Sequence, residues 1–275
     1  MRVAVVGHIE WVEFARVPRV PAAGEIATAS ETWAEPAGGG AVAAVQLTRL
    51  AGQALFITAV GDDELGRRGV ERLRRLGVRV AAAVRPDEPT RRAFTFVDDH
   101  GERTITVIGD KLRPSASEDL PWEELAEMDA VFFVSGDAGA ARAARAARVL
   151  CATPRELAIL AAAGVELDAL VGSGRDPGER YADGDLDPRP RLVVRTAGAE
   201  GGTWEADGRR GAYGPVTPPG PIADAYGCGD SFAAGLTYGL GAGMALEDAL
   251  ELAARCGAMC LTGRGPYERQ LALPG

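Results

Sequence analysis

The sequence predicts a three-layer αβα sandwich with a mostly parallel central sheet and a small β lid, and three observations carry that prediction. The chain opens on "RVAVVG", a short valine-rich run ending in glycine, the pattern of a strand buried on both faces of a parallel sheet. Similar runs then alternate with segments of helical period over most of the chain, the succession that covers a parallel sheet with helices. Two stretches interrupt this alternation with prolines and short period-two runs, which suits small strands that leave the main layer.

The elements follow in order. After the first strand, residues 10–36 ("EWVEFARVPRVPAAGEIATASETWAEP") form the first interruption. "GGGAVAAVQLTRLAG" has apolar residues at helical spacing and closes on Gly52, "ALFITAVG" reads as a strand, and "DELGRRGVERLRRLG" as an amphipathic helix. The second interruption, within 91–108, is a hairpin turning around "DDHGE", and with the first it makes a small separate sheet. "DAVFFVSG" resumes the main sheet, followed by "GAARAARAARVLCAT" and "PRELAILAAAG" as helices, with an alanine-rich helix at 138–148. "LDALVGSG" and "PRLVVRTAG" are strands, and helices fill 229–243 and 245–262. No boundary or repeat divides the chain, so residues 1–275 are expected to form one domain.

Composition narrows the function. With 47% hydrophobic residues in 275 the chain can bury a large core, and its net charge of -9 repels phosphate polymers and anionic lipid, though a local pocket could still hold an anion. Nucleic acid is not an expected partner. No apolar run reaches the roughly 20 residues that span a bilayer, and "MRVAVVGHIE" lacks the basic start and cleavage site of a signal peptide, so no membrane partner and a cytoplasmic location are expected. Cys151, Cys228, Cys256 and Cys260 show no paired CxxC spacing and suggest neither disulfides nor zinc. Lys111 is the only lysine, which argues against lysine-centred chemistry, and His8 and His100 form no Ser/His/Asp set. "VVGHIEWVE" has one glycine where a dinucleotide fold needs G-x-G-x-x-G.

The stretch that carries chemistry is "DAYGCGDSFAAG", Asp224 to Gly235. Gly227, Cys228 and Gly229 leave the backbone bare at the start of a helix, where amides lack intrahelical partners and the dipole adds about half a positive charge, so the turn is suited to a phosphate. Asp230 would repel a phosphate as a ligand. It makes sense as a base that takes a proton from an attacking hydroxyl while the amides hold the charge of the transferring group. Taken alone, the stretch also reads as an N-cap aspartate after a glycine turn.

This stretch resembles the C-terminal signature of ribokinase-like (PfkB-type) carbohydrate kinases, D-T-x-G-A-G-D-x-F-x-A-G, which Asp224, Gly227, Gly229, Asp230, Phe232, Ala234 and Gly235 match, with Ala225 and Cys228 as small replacements. "VVRTAGAEGGTW" is similar to the family's strand followed by T-x-G-x-x-G. "PAGGGAVAAVQLTRLAGQALFITAVGDDELG" is similar to its N-terminal signature, with Gly61, Asp62 or Asp63, and Gly66 fitting G-x-D-x-x-G. The likeness covers nearly the whole chain. It implies that Asp230 is the catalytic base and that the amides of Gly227, Cys228 and Gly229 through Asp230 form the anion hole. It further implies that Thr196, Gly198 and Gly201 approach ATP, that Asp224 lies where some members bind a monovalent cation, and that Gly38 and Gly39 face the substrate.

The departures bear on the acceptor and the metal. Ala43 and Val12 stand where many members have an asparagine and an aspartate for sugar hydroxyls, so Glu10 or Glu13 is expected to substitute, with Trp11 or His8 as an added contact. "SGRD", Ser173 to Asp176, replaces N-x-x-E, leaving Asp176 as a carboxylate for Mg²⁺ or as a solvated loop residue. The expected function is transfer of the γ-phosphoryl of ATP to a sugar or sugar-like hydroxyl. A nucleoside kinase of the same fold and a ligand-binding member without catalysis are the alternatives. The lid's exposed edges offer a surface on which two subunits could pair.

Overall fold

The computed structural model describes residues 1–273. In chain order its elements are β1 (Val3–Val6), β2 (Glu10–Arg16), β3 (Glu31–Ala37), α1 (Gly39–Ala51), β4 (Leu55–Gly61), α2 (Glu64–Arg75), β5 (Arg79–Arg85), β6 (Arg92–Val97) and β7 (Arg103–Ile108). There follow β8 (Ala130–Phe133), α3 (Ala138–Ala144), β9 (Val149–Ala152), α4 (Leu157–Ala163), β10 (Ala169–Ser173), β11 (Leu192–Thr196), β12 (Gly202–Ala206), β13 (Arg209–Tyr213), α5 (Cys228–Gly241) and α6 (Leu246–Cys260).

Nine strands form the main sheet in the order β13-β12-β11-β10-β9-β8-β1-β4-β5, parallel from β11 to β5 with β12 and β13 added antiparallel at one edge. Every residue of β1, β4, β8 and β9 is buried, as expected when helices cover both faces of a parallel sheet. Val3 and Val5 face a core shared with α1, α5 and α6, whereas Ala4 and Val6 face a second core shared with α3 and α4. That alternation makes the three layers. α1 ends where Gly52 donates its N–H to the Thr48 carbonyl, and α2 begins where the Asp63 carboxylate accepts from Gly66 N at 2.7 Å.

The second sheet has the order β3-β2-β6-β7. Its strands occupy 10–37 and 92–108, the two interruptions of the α/β alternation. Phe14 on its inner face stacks on Trp33 at 4.9 Å and meets Tyr226 edge-on at 5.1 Å. The β6–β7 turn is tied down as well, since Gly101 O accepts from Ala225 N at 2.8 Å.

One expectation needs correction. "GAARAARAARVLCAT" is not one helix: α3 stops at Ala144, and Val149–Ala152 is strand β9, pairing in parallel with β8 and β10. The alanine repeat extends helical propensity past the helix end, but a four-residue apolar run between two strands gains more from sheet pairing. Strand β5 and the β12–β13 hairpin add to the elements that the sequence suggests. Their alternation is weak, because β5 carries alanines and β13 carries arginines.

Candidate active site

β1, β8, β9 and β10 lie side by side and parallel, so the loops leaving their carboxyl ends converge, and the first turn of α5 reaches the same place. Gly227, with φ 79° and ψ 0°, turns the chain into α5, and a side chain there would meet Val42 and Pro266. The amides of Cys228, Gly229 and Asp230 begin the helix and have no acceptor within it. A Cβ placed on Gly229 would touch nothing within 4 Å, so open space lies above these amides. Cys228 Sγ lies 3.9 Å from the Asp224 carbonyl oxygen, turning the thiol back on its own loop.

Asp230 stands at the edge of that space. A Cβ on Gly39 would come within 2.7 Å of its Oδ1, so the glycine opening α1 is what lets this carboxyl group lie against the turn between β3 and α1. Burial, then the negative charge of Glu179, pushes the Asp230 carboxyl up to about 6 against the opposing pull of Arg155 and Arg103. Arg103 opens β7, opposite Val97 on the lid's inner face. Asp224 is fully buried, accepts N–H bonds from Tyr226 at 2.8 Å and Gly265 at 3.0 Å, and burial holds its carboxyl above the usual range.

On the lid side Gly38, Gly39 and Glu10 come together, but Glu13 does not join them. Gly38 donates its N–H to Tyr226 Oη at 3.3 Å, and Tyr226 donates to Glu10 Oε1 at 3.5 Å. Burial raises the Glu10 carboxyl, against the pull of Arg91 and Lys111. Glu13, three residues along an alternating strand, points to the opposite face and pairs with Arg92 at 2.7 Å. A surface concavity of about 750 Å³, lined by Trp11, Glu13, Phe94 and Phe96 among others, is on that outer face, away from Asp230. Trp11 faces it too, while His8 lies on the inner side, its Nδ1 3.2 Å from Ser135 Oγ.

Thr196 ends β11, and Gly198 begins the single turn that leads to Gly201. Gly198 is exposed, with only an arginine tip near its open side. Gly201 is buried, and a side chain there would overlap the Tyr213 carbonyl oxygen, so this glycine has a packing reason. Asp176 caps its own turn through Gly178 N at 2.8 Å and pairs with Arg155 at 2.5 Å.

Glu179, which the sequence reading passed over, is the carboxylate whose charge Asp230 feels most. It accepts from Ser173 N at 2.5 Å and pairs with Arg155 Nε at 2.8 Å. The signal was present as "DPGE", with the carboxylate one turn later than the residue matched to N-x-x-E. Arg155, Arg103 and Tyr226 were also missed, and nothing in "TPRE" or "GERT" marks them. Among the described residues, no three of His, Cys, Asp and Glu gather into a protein cage for a metal.

The profile of the pfkB family carbohydrate kinases matches residues 1–164 and 136–271. A fructokinase of Salmonella typhimurium is 29% identical over 282 residues, covering 86% of this chain and 90% of that protein. Arabidopsis thaliana ribokinase complexed with ribose and ATP superposes with a TM-score of 0.75 at 19% identity, covering 98% of this chain and 95% of that one. An E. coli protein in complex with ATP and Mg²⁺ superposes with a TM-score of 0.75 at 22% identity, covering 98% of this chain and 96% of that one. The family match over nearly the whole chain, with the αβα fold and its lid, defines a carbohydrate kinase. The chain belongs to the pfkB family of carbohydrate kinases. None of its described helices is long and apolar enough to cross a membrane.

Proposed function

We propose that this kinase transfers the γ-phosphoryl of ATP to a hydroxyl of a sugar or sugar-like molecule, with Asp230 as general base. The observation that supports this most is the pairing of a raised carboxyl with bare amides: Asp230, pushed up to about 6, adjoins the open space above Gly229. The acceptor hydroxyl gives its proton to Asp230 as its oxygen bonds to phosphorus, the bond to the ADP oxygen breaks, and the amides of Gly227 to Asp230 hold the charge on the migrating group. Gly38 and Gly39 leave room for the acceptor, and the lid restricts water that would compete with it.

Thr196 and Gly198 are the residues proposed to meet ATP. Mg²⁺ keeps most of its waters and takes few protein ligands, so phosphate oxygens would supply most of its shell; Asp176 and Glu179 are both held by a backbone N–H and by Arg155, and Glu179, whose charge reaches Asp230, is the carboxylate we place beside the hydrated ion. When bound, the ion neutralises phosphate charge. Asp224 is buried without an ion-pair partner among the described residues, and we assign a monovalent cation to its neighbourhood. Replacing K⁺ by Li⁺ is then expected to lower kcat/KM by several-fold, and equal rates in both salts count against that cation. The apolar outer lid face is the surface we propose for pairing of two subunits, which sedimentation at several concentrations tests.

ADP formation measured over sugars, polyols and nucleosides is the experiment that tests the reading. A nucleoside as best acceptor would shift it to the nucleoside alternative, and no ATP turnover with any alcohol would support the ligand-binding one. The pH profile is a second test. With the base pushed up to about 6, kcat/KM should rise with pH through about 6 and level above it, because only the ionised carboxylate takes the proton. A flat profile from pH 5 to 8 would remove Asp230 from the role. Gly39→Ala would crowd Oδ1, and about a tenfold or greater loss in kcat/KM is expected with folding retained.

A further inference from the structure

The acceptor side of the cleft is rich in hydrogen-bond donors and poor in free acceptors. Ala43 and Val12 are fully buried and apolar. Two carboxylates remain there besides Asp230, and both are engaged. Glu10 Oε2 is 3.3 Å from Arg91 Nε, and Glu156, buried at the end of β9, receives both Lys111 Nζ at 2.8 Å and Arg113 Nε at 3.3 Å.

Two cations thus share one carboxylate, which leaves one positive charge and several N–H donors unmatched. Arg91 Nε is buried and, despite its nearness to Glu10, makes no hydrogen bond. Arg155 stands apart from this surplus: Asp176 and Glu179 both pair with it, so that trio carries one excess negative charge, on the side of Asp230. The group lies within the acceptor cleft by continuity. Gly39 adjoins Asp230, and a Cβ on neighbouring Gly38 would come within 3.1 Å of both His8 and Glu10. The loops after β1, β8 and β9, which carry His8, Ser135 and Glu156, are adjacent in the sheet. The His8 imidazole is held well below its usual pKa by burial and then by the charges of Lys111, Arg91, Arg113 and Arg155, which marks the local field as positive.

We infer that the acceptor is a sugar bearing its own negative charge, a carboxylate or a phosphate, bound through Lys111, Arg113 and Arg91. A neutral sugar needs acceptors for its hydroxyl protons, and here it finds donors; an anion uses those donors and meets the unmatched charge. The inference rests on the reading that the hydroxyl reacts at Asp230, and the test separates the two.

ADP formation is measured with neutral sugars and their matched anions: glucose against gluconate and glucose 6-phosphate, fructose against fructose 1-phosphate and 6-phosphate. The best anion is expected to exceed its neutral parent in kcat/KM by about a hundredfold or more, and the arms tell carboxylate from phosphate. Lys111→Met should raise KM for that anion by about tenfold or more, with kcat changed far less and a smaller loss for the neutral parent, and Lys111→Arg should restore binding. If Lys111→Met does not fold, Arg113→Gln at an exposed position carries the same comparison.

Calorimetric titration of the same compounds, with a non-hydrolysable ATP analogue present, gives a readout independent of turnover. Anions bound but not phosphorylated would uphold the anion site and count against Asp230 chemistry. A neutral sugar used or bound as well as its anion, or no anion bound in either assay, would overturn the inference.

Discussion

Asp230→Asn is expected to lower kcat by at least about a hundredfold while leaving ATP affinity nearly unchanged, because the amide keeps the shape of the carboxyl group and cannot take a proton. The same substitution should stabilise the free protein. A carboxyl whose folded pKa lies near 6 binds its proton more tightly folded than unfolded, so its ionised form opposes folding. That penalty is complete above about pH 6 and vanishes below the unfolded value near 4. At pH 8 the variant should gain on the order of 2 kcal/mol once solvent screening at the open cleft is allowed for, or a few degrees in Tm. The gain should shrink as the pH falls from 6 to 4. Thermal unfolding at pH 8 and pH 4.5 beside turnover measures both effects. A variant that is slower and also less stable at pH 8 would mean the carboxyl group holds the fold together, as an N-cap does.

The second large effect is at Gly201. Its φ of 82° lies in the region that favours glycine, and any side chain would overlap the Tyr213 carbonyl oxygen, itself fixed by the β12–β13 ladder. Neither the backbone turn nor the strand can yield cheaply, so Gly201→Ala should cost about 3 kcal/mol or more, close to 10 °C in Tm. Gly198→Ala is the control. Gly198 also has positive φ, at 62°, but faces open space, so its cost should stay near 1 kcal/mol and its effect should fall on KM for ATP. Equal losses of stability at the two positions would contradict this division between a packing glycine and a ligand-facing one.

The layered fold was legible because valine-rich strands and helical segments repeat different periods, and because the prolines of 10–36 and the "DDHGE" turn expel the lid from the main sheet. β9 was hidden because "AARAARAAR" carries a helical pattern into a four-residue strand that only its neighbours specify. At the site, bare backbone and carboxylate in "GCGD" declared themselves by residue type. Strand alternation decides between Glu10 and Glu13, but the choice required knowing which face of β2 meets the body. Glu179 and Arg155 were obscured for another reason: each acts on Asp230 across loops from different strands, and that proximity belongs to the sheet order rather than to any local spacing. The Lys111–Glu156–Arg113 group is of the same kind, since a lone lysine in a loop says nothing until the end of β9 is beside it.

The most direct test of the account is a crystal structure of the protein with ADP, a metal-fluoride mimic of the migrating phosphoryl, and the best acceptor. The fluoride group should sit against the amides of Gly227 to Asp230, with the reacting hydroxyl within hydrogen-bond distance of the Asp230 carboxylate. A hydroxyl directed at another group, or a fluoride bound away from the start of α5, would contradict it.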